Sequence, residues 1–470
     1  MENRYKKLIK NTAVFFVGTF GSKILSFLIV PLYTYVLTPN EYGKIDLFTT
    51  AIRMMVPFTT LMFADAILRF IASGEIKRNV VVSDGIVVFL CGAILSIICI
   101  PLYKTLFNLG ENVFLYVVAL ILNTYTSIFP HYLRAVGKNV SFAVNGIIQT
   151  CAILGFNVLF LIVFRLGMKG YLYALILSQL ASAVHVTISG KILGEFSFRN
   201  INLRNLKEML RFSIPIIPNS LMWWIMSAGD KYVINYFMGD AANGLYSVSL
   251  KIPTIISMVY SVFTQAWQLS AIEEMKKKDE GDFYKKIFGV LSIGLCVGVG
   301  VIIPIVRPIF CAILSKSYHS TWKYVPFLCI AAICDCFESF ASVTYSITKK
   351  SGKAVIATLI GFMVNITVNC LLINIVGLYG VAIGTIVGNI IVMKIRFSDM
   401  RDDMGIALDT RKLDASLILL IMEAFVLVGL EQYMGYIFAI TIVALITLIH
   451  RNEVKGILFF AKRVMKRKGL

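Results

Sequence analysis

Nine ionisable side chains stand inside stretches that are otherwise apolar: the cations Lys23, Arg53, Arg69, Lys231 and Lys251, and the acids Asp65, Asp230, Asp335 and Glu338. A charge in the hydrocarbon core costs about 2.5–3.5 kcal/mol on insertion scales, so each should face a water-filled cavity or a partner. Asp65 and Arg69 are four apart on one helix, the spacing of a local ion pair. Asp230 and Lys231 are adjacent, point to different faces, and cannot neutralise each other. Pairing Asp230 with one cation and Asp65 with Arg69 still leaves an excess of positive charge. One reading is a cationic cavity that holds a phosphate-bearing anion; the other is snorkelling of the long side chains to the nearer interface. Asp335 and Glu338 are three apart, hence on one helical face. Two carboxyls in a dry site cannot both ionise, so one would hold a proton and exchange it or bind a cation. A cation on a neighbouring helix is the competing explanation.

The elements that carry these charges are membrane spans. Of 470 residues, 58% are hydrophobic and 15% charged, with a mean hydropathy of +0.80. About 20 apolar residues cross the hydrocarbon as a helix, and such runs recur almost end to end. Segmentation predicts 14 transmembrane helices, near 11–37, 45–71, 80–103, 113–135, 140–164, 169–193, 211–237, 245–271, 286–306, 323–347, 353–375, 378–397, 413–430 and 434–450. The first follows the basic lead MENRYKKLIK, is too long for a signal-peptide core and is expected to stay attached. With a cytoplasmic N-terminus, 33 of the 45 Lys and Arg fall on the inside segments and 7 on the outside ones. The positive-inside rule therefore puts both termini in the cytoplasm, and the formal charge of +19 reads as topology rather than a nucleic-acid footprint. Counting rise per residue, Arg53, Lys231 and Lys251 lie in the outer third and Lys23 near mid-depth.

The chain also repeats itself. YVLTPNEYG (35–43) aligns with YFMGDAANG (236–244), CIPLYKTLF (99–107) with IIPIVRPIF (302–310), and GMKGYLYALILS (167–178) with GLYGVAIGTIVG (377–388). The last pair places small residues every third or fourth position, where helices approach closely. Six spans per half give two parallel repeats, and substrate sites in such proteins lie between the halves. The expected organisation is an N-terminal six-helix lobe (1–194), a cytoplasmic amphipathic linker (195–210), a C-terminal six-helix lobe (211–397), a second linker (398–412), accessory helices 13 and 14 (413–450) and a basic tail (451–470). The first linker reads either as a segment lying on the membrane surface or as a solvated connector. Ten of 11 prolines lie in or at the ends of spans, which suits helices that bend and is also ordinary packing geometry.

Nothing argues for catalysis or a cofactor. The nine cysteines form no C-x-x-C and read as small hydrophobes, and the four histidines lack ligand spacing. There is no Gly-rich phosphate loop, and the longest outside loop, 307–322, is too short for a membrane polymerase. Glu423 and Glu431 read as interfacial.

Three stretches carry a family resemblance: NTAVFFVGTFGSKILSFLIVPLYTYVLTPNEYGKIDL (11–47), DKYVINYFMGDAANGLYSVSLKI (230–252) and GLYGVAIGTIVGNI (377–390). The chain resembles the polysaccharide repeat-unit (O-antigen or capsule, Wzx-type) flippases of the multidrug/oligosaccharidyl-lipid/polysaccharide exporter superfamily. The resemblance covers nearly the whole chain and implies an all-α polytopic protein with two six-helix lobes in a V, plus two C-terminal helices, working by alternating access. It implies an undecaprenyl-diphosphate-linked oligosaccharide moved across a bacterial plasma membrane, its diphosphate held by Lys23, Arg53, Lys231 and Lys251. The other implied partners are membrane lipid, H+ or Na+, and other polysaccharide assembly proteins, with no nucleic acid. A peptidoglycan-precursor flippase and a cation-coupled multidrug exporter of the same superfamily are the alternatives; a membrane glycan polymerase ranks last.

Overall fold

The computed structural model describes residues 29–107, 110–274, 280–429 and 432–456. Lys23, Glu431, the 276–278 lysines and the tail from 457 lie outside the described residues. Among the described residues there is no strand. The helices are α1 (Val30–Val36), α2 (Pro39–Thr60), α3 (Phe63–Ala72), α4 (Arg78–Ile98), α5 (Ile100–Leu106), α6 (Val113–Ala135), α7 (Asn139–Asn157), α8 (Gly167–Gly190), α9 (Leu203–Ser213), α10 (Ile217–Ser249), α11 (Lys251–Glu274), α12 (Glu280–Ile313), α13 (Val325–Thr348), α14 (Ser351–Val376), α15 (Leu378–Met404), α16 (Arg411–Gly429) and α17 (Gln432–Ile449).

Eight of the described helices are long and apolar enough to cross a membrane, or ten if two bent pairs each count as one span, with the shorter apolar Met434–Ile449 beside them. The predicted first span lies largely before residue 29. The predicted seventh span lies in α10, which is interrupted at Gly239 (φ 80, ψ −178), and the predicted eighth runs from the end of α10 into α11 across a 40° bend. Gly239 aligns in the internal repeat with Thr38, the N-cap of α2. Thr38 closes a capping box with Glu41, and Pro39 takes the first helical turn, where a missing N–H is no loss. Both repeats thus mark the same position, one with a capped start and one with a glycine turn.

The chain forms two compact units, Met1–Tyr232 and Val233–Leu470. In the first, one core gathers Phe63, Phe70, Val82, Phe129 and Leu133, and another Phe48, Ile52, Tyr103, Tyr116 and Leu120. Between them α2 and α3 bend by 51° at Leu61 and Met62, both left-handed at φ 49 and 53. L-residues there cost roughly 1–2 kcal/mol each; the Met62 N–H, released from the ladder, donates to Thr60 Oγ1 at 3.2 Å. The linker divides its apolar side chains: Phe198 and Leu203 are exposed, and others pack inward. Met209 is buried, and Leu206, Leu210 and Phe212 pack on the first core. The Asn202 N–H donates to Asp84 and the Ser197 N–H to Ser83, fastening the segment to α4.

In the second unit α13 is the most enclosed span, with 83% of its apolar window buried. Trp267 stacks on Phe340 at 4.5 Å and donates its indole N–H to the Phe340 carbonyl. The small residues of 377–388 do what their spacing predicts. A Cβ on Gly384 would stand 2.0 Å from Asn369 Oδ1, and one on Gly380 would stand 2.7 Å from Leu372, so α14 and α15 meet backbone to backbone. All nine cysteines are free thiols, four of them buried in this unit.

Candidate functional site

In the first unit the site grows from one face of α2. Once the capping box fixes where the helix starts, Tyr42, Asp46, Thr49, Thr50 and Arg53 recur at helical spacing along a single stripe. Helix α10 lies antiparallel along it. The Ser220 hydroxyl reaches Met62 Sδ at 3.6 Å, the Trp224 indole N–H donates to the Thr50 carbonyl at 2.9 Å, and Lys231 Nζ sits 2.9 Å from both Asp46 oxygens. The ion-paired side chains are only 18% and 16% exposed, which shields the pair from water. Behind it stands a tyrosine layer: Tyr33 packs on Tyr42 and edge-on to Tyr171, and Asn157 donates to the Tyr33 hydroxyl at 3.0 Å. The Tyr232 hydroxyl is buried with no partner among the described residues. Tyr116 donates to the Ala51 carbonyl at 3.1 Å and anchors the opposite face of α2.

Against this geometry the sequence-predicted residues sort clearly. Lys231 is held by Asp46, a residue the sequence reading did not single out, so it is a paired cation and not a bare one. The signal was present, because Asp46 and Arg53 are seven apart and share a face. Arg53 is exposed and makes no hydrogen bond or ion pair among the described residues. The Asp65–Arg69 ion pair is not formed. The Arg69 guanidinium instead lies 4.4 Å from the centre of the Phe212 ring and 5.4 Å from that of Phe70, because the docked linker places an aromatic face within its reach. Asp230 is half-buried on α10 in the first unit; Lys251, half-buried, opens α11 in the second.

The second unit holds the acidic pair. Glu338 is buried, whereas Asp335, one turn earlier on the same enclosed helix, is exposed. Arg396 of α15, at the end of the predicted 378–397 span, is the cation on a neighbouring helix. Its guanidinium donates to the Glu338 carbonyl at 3.0 Å and to Thr358 Oγ1 at 2.9 Å, and its charge acts on both carboxyls. The bonds go to a backbone oxygen and a hydroxyl; Glu338 Oε1 and Arg396 Nε stay buried without partners among the described residues. Glu423 is not interfacial. It is fully buried, both oxygens lack partners among the described residues, and a Cβ on Gly300 would stand 3.5 Å from its Oε2.

Apolar spans and an all-helical fold among the described residues mark a multi-pass membrane protein. The chain belongs to the family described as polysaccharide biosynthesis protein, which matches residues 8–268, more than half its length. It is similar in structure to the lipid II flippase MurJ in an inward closed conformation (TM-score 0.66, 14% identity, 94% of this chain and 100% of that one). It is also similar to an inward-facing multidrug resistance MATE family transporter of the MOP superfamily (0.65, 16%, 84% and 95%). A third match is a mutant of the Vibrio cholerae MATE transporter VcmN (0.54, 17%, 85% and 97%). In sequence it is 26% identical over 259 residues to an uncharacterized membrane protein of Methanocaldococcus jannaschii, spanning 50% of this chain and 59% of that relative. The likeness to these solved structures shows a shared fold.

Proposed function

We propose that the protein is a flippase for undecaprenyl-diphosphate-linked oligosaccharide, carrying repeat units for a surface polysaccharide such as O-antigen or capsule across a bacterial plasma membrane. Both termini face the cytoplasm in this reading, and the two repeats work by alternating access. The observation that carries it is Arg53. It is a cation on α2, exposed, without a partner among the described residues, and on the same stripe as the Asp46–Lys231 ion pair. A stripe with one positive charge to spare suits a phosphate group, whose oxygens match a guanidinium fork. The family resemblance adds Lys23 and Lys251 as further proposed diphosphate contacts, with Asp230 as an acid that pairs with a cation. Family membership supports the polysaccharide context.

A multidrug exporter that binds organic cations would use acids in the first unit, and the Asp46 carboxylate is already committed to Lys231. A lipid II flippase shares the cationic logic and differs in the attached sugar and peptide. The test is translocation of a fluorescent undecaprenyl-diphosphate-oligosaccharide in sealed vesicles by the wild type, Arg53→Ala and Arg53→Lys at matched expression. Loss in Arg53→Ala with partial recovery in Arg53→Lys supports the reading. Full transport by Arg53→Ala removes the proposed diphosphate contact, and a wild type that moves only the peptidoglycan precursor assigns the lipid II substrate.

A further inference from the structure

A cavity of about 390 Å³ opens in the second unit, away from the charges discussed above, between the first turns of α12 and both ends of the accessory helix pair. Its volume lies in the range of small-ligand sites, about 300–1,000 Å³. The Lys/Arg asymmetry places it at the cytoplasmic edge of the membrane. Lys285, Gly289, Asp409, Lys412, His450 and Glu453 line it.

The hydrogen-bonding inventory of this cavity is incomplete in two opposite senses. On the cationic side, Lys285 is exposed and makes no bond among the described residues, and Lys412 spends one of its three protons on Glu453 Oε1 at 2.6 Å. Two ammonium groups therefore have donors to offer an anion. On the acceptor side, Glu453 Oε2 is buried without a donor among the described residues, and so is His450 Nδ1. The histidine tautomer follows from its neighbour. Ser416 gives its only proton to the Lys412 carbonyl at 2.8 Å, so at 3.1 Å the His450 Nε2–H must donate to Ser416 Oγ. The Nδ1 of the neutral ring is then an acceptor with nothing to accept. Asp409 is occupied by Arg411.

A bare phosphate would satisfy the lysines and leave the acceptors orphaned beside it. A group that carries a phosphate and an N–H donor a few bonds away satisfies both sets. Lipid-facing surface adjoins the cavity: Val290, next to Gly289, is 46% exposed and Leu448, two residues before His450, is 63% exposed. We infer that this cavity binds the phosphoethanolamine headgroup of a cytoplasmic-leaflet phospholipid, phosphate toward Lys285 and Lys412, ammonium toward Glu453 and His450, acyl chains along α12 and α17.

The test is native mass spectrometry of the purified full chain titrated with palmitoyl-oleoyl-phosphatidylethanolamine, -phosphatidylcholine or -phosphatidylglycerol, with soluble glycerophosphoethanolamine as competitor. The wild type should bind the ethanolamine lipid at least about fivefold more tightly than the other two, since choline offers no N–H and glycerol no charge. Lys285→Ala should weaken the ethanolamine and glycerol lipids alike, and Glu453→Gln should abolish the preference between them. Lys285 is exposed and unbonded, so its variant keeps the fold if Glu453→Gln does not. Equal affinity of the wild type for all three lipids overturns the inference. Failure of the soluble headgroup to compete assigns binding to the acyl chains and overturns it as well, and an unaffected Lys285→Ala removes the phosphate contact on which it rests.

Discussion

The two units handle buried charge in opposite ways. In the first, Asp46 and Lys231 meet side chain to side chain at 2.9 Å through both carboxylate oxygens, and the pair is neutral as it stands. In the second, Arg396 bonds to the Glu338 backbone and to Thr358, while one Glu338 oxygen has no partner among the described residues and Asp335 is exposed. A closed pair resists change, because separating it leaves two uncompensated charges. An incompletely bonded acid near a fixed cation exchanges a proton or a cation at lower cost, since no existing bond must break first. We propose a structural duty for Asp46–Lys231 and a responsive one for Asp335–Glu338.

The largest effect belongs to the closed pair. Lys231→Ala should lower stability by about 3–5 kcal/mol, the range for removing one partner of a buried pair, read as a lower unfolding midpoint in detergent. Lys231→Met combined with Asp46→Asn should recover most of that loss, because replacing both charges removes the orphan. A double variant as unstable as the single one would show that packing, not charge, holds α10 on α2. Next is Arg396→Met, which deletes two charge-assisted donors and should cost about 2–4 kcal/mol. Asp335→Asn should leave stability within roughly 0.5 kcal/mol, as expected for an exposed side chain, and change the response of transport to an imposed proton or sodium gradient. An equal stability loss in Arg396→Met and Asp335→Asn would erase the distinction between a fixed cation and a responsive acid.

How much of this was legible in the sequence depended on whether the signal was local. The 377–388 glycines predict close helix contact because spacing alone decides it, and α14 and α15 meet there as expected. The aligned stretches 35–43 and 236–244 hold a capped helix start at Thr38 and a glycine break at Gly239, both set by neighbouring residues. Partners across helices were not legible. Nothing local marks Asp46 as the partner of Lys231, and nothing in the predicted 378–397 span places Arg396 against the Glu338 carbonyl of α13. Arg69 shows the reverse error. Its i−4 acid suggested an ion pair, but a ring from the docked linker, 143 residues further along the chain, took the guanidinium. The linker was read as choosing between lipid and water because hydropathy records an apolar face without naming what covers it.

The smallest effect comes from a third pair, Lys412–Glu453, which sharpens the comparison because it sits beyond the spans where solvent can titrate it. Burial works to raise the Glu453 carboxyl, but the Lys412 ammonium bonded to it at 2.6 Å more than offsets this and holds it below the usual glutamate range. A carboxyl depressed on folding contributes stability that is fully present above its unfolded value and is lost only as pH falls through the lower folded value. The unfolding midpoint should therefore show no Glu453-dependent change from neutral pH down to the ordinary glutamate range, then a decline that Glu453→Gln lacks. The amplitude should be modest, because Lys412 is 38% exposed and Glu453 22%. The same titration leaves Asp46–Lys231 intact over this window if that pair is as closed as its geometry indicates. A Glu453-independent fall in the midpoint near neutral pH, abolished by the Asp46→Asn and Lys231→Met double variant, would show that the first unit opens to solvent and that its pair is the responsive one.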